Sequence, residues 1–180
     1  GDGDVAAVDP DFDIPSVWKW NLAWDQFFNI GNSTDYRLTV DLLYTDVNDA
    51  PYWTDLRREQ IGVAADGRPI YGAVGCAASS PDPIADCRAI PNWDILMSSS
   101  GGGSTTSATV SLGKFWEFQG GSTLDFSIAY TWMESETKSD ALSSTPTSLI
   151  GREQVFDRNN PAVGRSSFEI QDRLISNVTW

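Results

Sequence analysis

The sequence predicts an all-β fold, an antiparallel meander of about five long strands near residues 17–27, 36–48, 105–118, 123–134 and 167–180. Two observations carry this. Five segments alternate apolar and polar side chains with the period of two that marks a strand, and nothing reads as a long helix. The connections between the segments alternate short and long, which bears on how the strands are arranged.

The first segment, VWKWNLAW, sets Trp18, Trp20, Leu22 and Trp24 against Val17, Lys19, Asn21 and Ala23. In the second, Tyr36, Leu38, Val40, Leu42 and Tyr44 oppose Arg37, Thr39, Asp41, Leu43 and Thr45. The third puts Ala108, Val110, Leu112 and Trp116 opposite Ser107, Thr109, Ser111 and Gly113, with Lys114 breaking the apolar parity. The fourth, TLDFSIAYTW, opposes Leu124, Phe126, Ile128, Tyr130 and Trp132 to Thr123, Asp125, Ser127, Ala129 and Thr131. The fifth offers Phe168, Ile170, Leu174, Val178 and Trp180 against Glu169, Gln171, Arg173, Asn177 and Thr179, with Asp172 as its exception.

Alternation leaves open which face looks inward: a sandwich packs its apolar face on a core, and an outer-membrane barrel turns it to lipid. Here the connections matter. NIGNSTD and QGGS are short and turn-forming, whereas the other two gaps are long and rich in Pro, Gly, Ser, Thr or Asp. Tight turns alternating with long loops are the habit of an outer-membrane barrel, and long structureless loops are uncommon in compact soluble domains. Tyr36 and Tyr44 share a face, roughly 20 Å apart along the membrane normal for a strand tilted near 40°. They would mark the two rims of an apolar band. Trp18, Trp132 and Phe168 then fall near the outer rim, and Trp24 and Trp116 near the inner. The fold expected is a partial transmembrane β-barrel with long extracellular loops.

The chain has 180 residues, with Lys+Arg 12 against Asp+Glu 25 and a net charge of -13, which argues against nucleic acid as a partner. No apolar run is long enough for a membrane-spanning helix, which leaves barrel strands possible. The acidic first residues read as the middle of a loop and the last lie within a strand pattern, so a piece of a longer chain is expected. With no histidine, Ser-His-Asp and Cys-His catalysis are excluded; no enzyme, metal site or cofactor is expected.

The phrases PSVWKWNLAWDQ, TVDLLYTDVNDAPYW, ATVSLGKFWEFQGGSTLDFSIAYTWMES and VFDRNNPAVGRSSFEIQDRLISNVTW resemble the barrel portion of TonB-dependent receptors, especially the Oar-like subgroup. The resemblance runs from Pro15 onward. It implies residues 1–180 as part of a 22-stranded barrel in the outer membrane of a Gram-negative bacterium, lacking the plug, the TonB box and most strands. It further implies transport: uptake of a small ligand or a polypeptide, powered through the TonB complex by way of the plug, with outer-membrane lipid around the barrel. The alternative is a secreted all-β module that binds carbohydrate on exposed Trp residues.

Lys19, Arg37, Asp41, Asp125, Glu169 and Arg173 have lumen parity and are candidates to contact ligand or plug; the plainer expectation is that they pair with one another across neighbouring strands. Trp53 and Trp93 are the aromatics best placed for an external ligand, with loop packing as their plainer role. Cys76 and Cys87, close together in a loop expected outside the cell, are expected to form a disulfide. The runs GDGD and DPDFD resemble calcium loops without the full ligand spacing, and Asp82 with Asp86 is a chance carboxylate pair.

Overall fold

The computed structural model describes residues 3–88, 92–152 and 155–180, and the fold is all-β with a predominantly antiparallel sheet that does not close into a barrel. In chain order the elements are β1 (Val5–Val8), β2 (Ser16–Ile30), β3 (Ser33–Asp55), β4 (Arg58–Val63), β5 (Pro69–Ala73) and α1 (Pro83–Asp86). They continue with β6 (Asp94–Ser100), β7 (Gly103–Glu117), β8 (Thr123–Thr137), α2 (Pro146–Arg152), β9 (Gly164–Arg165) and β10 (Asp172–Thr179). The chain divides into two compact units, one of residues 17–47, 103–136 and 165–180, the other of residues 1–16, 48–102 and 137–164.

The first unit holds the five long strands in the order β2-β3-β7-β8-β10. β3 pairs antiparallel with β7, Leu38 facing Leu112 and Val40 facing Val110. β10 pairs antiparallel with β8, Leu174 facing Tyr130. The register of β7 on β8 follows from hydroxyl contacts between Thr109 and Thr131 (2.9 Å) and between Thr105 and Ser135 (2.8 Å). Moving four residues along one strand moves four residues back along the other, which is antiparallel pairing. The turn joining them needs glycine: Gly120 and Gly121 have φ of 112° and 80°, and the Gly121 N–H donates to the Phe118 carbonyl at 3.2 Å.

The fifth strand is shorter than its sequence pattern. Expected from residue 167, it begins at Asp172, because the Ser166 hydroxyl accepts from the Phe168 N–H (3.2 Å) and the Ser166 carbonyl from the Glu169 N–H (3.2 Å). That local turn takes the backbone groups a ladder would use.

The second unit is built from the segments that the sequence reads as loops. β4 and β5 form a hairpin, β1 lies parallel to β6, and the last part of β3 pairs antiparallel with β6. β3 runs past the expected end at residue 48 and through Pro51, which faces Ser99. Such a proline is accommodated only where its missing N–H points away from the ladder. Cys76 and Cys87 are bonded, with Cα atoms 5.8 Å apart and Cys87 buried at 1% exposure. Replacing both with Ser is expected to lower the stability of this unit by roughly 2–3 kcal/mol on the chain-entropy account, read from denaturant unfolding; an unchanged midpoint would contradict it.

Candidate functional site

In the strand unit the apolar faces of five strands coincide. Leu42 faces Ala108 and Val178 faces Phe126 in register, and the hydroxyl pairs of β7 and β8 set Val110 beside Tyr130 and Leu112 beside Ile128. On the β2 side, Phe28 stacks on Tyr36 at 5.5 Å, placing Trp24 and Leu22 in the same surface. Trp20, Leu22, Trp24, Val110 and Leu174 are exposed; Phe126 and Ile128 are half-buried, where a covering sheet would bury them.

Both parity exceptions sit at ends of this face. The Lys114 ammonium lies 4.7 Å over the Tyr36 ring and 5.5 Å over that of Trp116, so a cation on the apolar parity is held by ring faces. Phe118 and Trp180 lie beside them with ring centroids 5.5 Å apart. Towards the other end, the Tyr130 hydroxyl donates to Asp172, beyond which Asp172 faces Trp132.

The opposite face is polar. Asp41 faces Thr109, whose hydroxyl meets that of Thr131, which faces Arg173, giving one polar row across four strands. Arg37 donates to Asp25 from Nε at 3.1 Å and Nη2 at 3.0 Å, and the Thr39 hydroxyl donates to the same oxygen at 2.5 Å. Glu169 lies outside any strand; it accepts the Ser135 N–H at 2.8 Å and pairs with Arg165 at 2.6 Å. The six predicted charges therefore do not pair with one another. Arg37 and Glu169 find Asp25 and Arg165 instead, while Lys19, Asp41, Asp125 and Arg173 have no ion-pair partner among the described residues. Asp25, which shares the parity of Lys19, is not among the six candidates. Choosing it required the β2–β3 register.

The second unit contains a cavity of about 1030 Å³ lined by Arg58, Arg68, Arg88 and Arg158 together with Trp93 and Phe156. Its wall is fixed by Asp55, at 1% exposure, which pairs with Arg58 and accepts the N–H groups of Arg57 (3.1 Å) and Asp94 (3.2 Å). Asn159 clamps the Asp55 backbone, donating to its carbonyl and accepting its N–H at 2.9 Å each. Asp157 accepts the Tyr71 hydroxyl at 2.6 Å and the Asn159 and Asn160 N–H groups at 3.0 and 3.1 Å. The segment Asp157–Asn160 is thus latched to β3 and β5.

Burial pushes the Tyr71 phenol well above its ordinary range, and its hydrogen bond to Asp157 adds to the shift. The folded-state value lies above the unfolded one, so this contribution is intact below about pH 10 and lost as pH rises through the folded value. Above about pH 10 the thermal stability of the wild type should fall more steeply than that of Tyr71→Phe. Equal slopes would contradict the coupling.

Trp93 lines the cavity, carrying the Arg58 guanidinium 4.1 Å over its ring. Trp53 does not belong to a loop: it lies in β3, facing Met97. Asp4 and Asp9 dock the first residues, accepting the Trp93 N–H (3.0 Å) and the Ser98 hydroxyl (2.9 Å). Asp82 caps α1 through the Ala85 N–H at 3.2 Å, and Asp86 accepts the Ser80 hydroxyl at 2.5 Å. Compared with models of known protein families, with curated proteins and with solved structures, the chain matches none.

Proposed function

We propose that the chain is part of a transport barrel of the outer membrane, of the TonB-dependent receptor kind, with the apolar face of its strand unit toward lipid and the polar face toward the lumen. The uncovered apolar face carries this reading. Five strands about 4.8 Å apart and a band about 25 Å tall make roughly 600 Å² in projection, at the top of what a soluble monomer leaves exposed. At one end of that face the Lys114 ammonium lies over the Tyr36 ring, an aromatic with a polar partner, as at a membrane interface.

The free edges support the same reading. β2 and β10 are the outer strands of this sheet, and long apolar edges in water template aggregation unless further strands close them. In a receptor, the missing strands would do so, and the plug would couple uptake to TonB.

Flotation with phosphatidylcholine vesicles tests this proposal. The chain should aggregate without detergent and float with vesicles when detergent is removed in their presence. A chain that stays monomeric in buffer and ignores vesicles would overturn it, and binding to an insoluble polysaccharide would then favour a carbohydrate module.

A further inference from the structure

The arginine-lined cavity is at odds with the charge of the chain. Asp+Glu outnumber Lys+Arg by 25 to 12, yet four arginines and no acidic side chain line this space among the described residues. Two of the four are engaged. Arg58 pairs with buried Asp55, and Arg68 pairs with Asp66 at 2.7 Å. The Asp66 carboxyl is held below its usual range by the backbone and side-chain donors of Arg68, so it stays ionised. Arg88 and Arg158 have no ion pair or hydrogen bond among the described residues.

Both of these arginines stand on fixed backbone. Arg88 follows Cys87, which is buried, disulfide-bonded, and accepts the Ala73 N–H through its carbonyl at 3.0 Å. Arg158 lies between Asp157 and Asn159, the two residues of the latch. Guanidinium groups gathered around one cavity repel one another, and an anion relieves that repulsion. Planar forks suit carboxylates, which they bind through two parallel N–H donors. Trp93 and Phe156 line the same cavity and supply apolar wall.

We propose that this cavity binds a small organic dicarboxylate with an aromatic or apolar body, its carboxylates taken by Arg88 and Arg158 and its body set against Phe156 and Trp93. The cavity, about 1030 Å³, is ample for such a ligand. Every lining residue belongs to the second unit, so the proposal stands whether or not the strand unit meets lipid.

Calorimetric titration of the purified full chain, held in detergent, with phthalate tests it, with neutral phthalamide as the matched probe. Phthalate should bind saturably and more weakly as salt is raised, and phthalamide should give no saturable heat. The double variant Arg88→Gln, Arg158→Gln should weaken phthalate binding by about tenfold or more, the loss of charge-assisted hydrogen bonds. Its thermal unfolding should be unchanged, since neither side chain holds the fold. Absence of phthalate binding, equal binding of phthalamide, or undiminished binding by a folded double variant would each overturn the proposal. The comparison of the two probes needs no substitution, so a variant that fails to fold leaves the test decisive.

Discussion

Replacing Ile128 with Arg is expected to destabilise the chain in a phospholipid bilayer by roughly 2–4 kcal/mol, while Arg at the adjacent Ser127 costs much less. Successive side chains of a strand point to opposite faces, so the two substitutions test two environments at the same depth. Ile128 is half-buried in the apolar face beside Leu112, within the apolar run from Leu124 to Trp132 of its strand. Ser127 faces Asn177 on the polar side. On the proposed reading, a guanidinium at Ile128 would sit in hydrocarbon without a partner, and at Ser127 it would meet water and hydroxyls. Guanidinium unfolding from lipid vesicles checks the difference. Equal effects would place both faces in the same medium.

Asp55→Ala is expected to cost roughly 3–5 kcal/mol, because removing one partner of a buried ion pair strands the other. The Asp55 side chain has 0% exposure and Arg58 only 18%. The loss also orphans the N–H groups of Arg57 and Asp94 that the carboxylate accepts. Since Asn159 clamps the same residue through its backbone, the latch should survive Asp55→Ala more nearly than the Arg58 position does. Urea unfolding read by far-UV circular dichroism measures the cost. A change below about 1 kcal/mol would mean that the pair contributes little.

The long strands were legible in the sequence because alternation is a local property. Leu38, Val40 and Leu42, or Ala108, Val110 and Leu112, declare their shared face without knowledge of any partner strand. The second unit was not legible, and its residues explain why. VAAV of β1 has no alternation and finds its partner at Asp94–Met97, far along the chain. PIYGA of β5 is short, opens on proline and pairs across a register shift at Gln60 and Gly62. Such segments become strands through tertiary pairing, which overrides weak local preference. The cavity was hidden for the same reason: Arg58, Arg68, Arg88 and Arg158 are scattered in sequence and converge only when Asp157 and Asn159 dock on β3 and β5. Trp93 was visible as a loop aromatic, but the guanidinium on its ring was not.

On the proposed reading, the uncovered face of β8 is the lipid-facing one. Single cysteines placed in turn at Leu124, Phe126, Ile128 and Tyr130, and at Asp125, Ser127 and Thr131, can be spin-labelled in vesicle-reconstituted chain, since Cys76 and Cys87 are bonded to each other. Collision with oxygen, which concentrates in hydrocarbon, should be high at the first set, and collision with a water-soluble nickel chelate should be high at the second. The two signals should alternate out of phase with a period of two. Chelate accessibility at all seven positions, or the opposite phase, would contradict it.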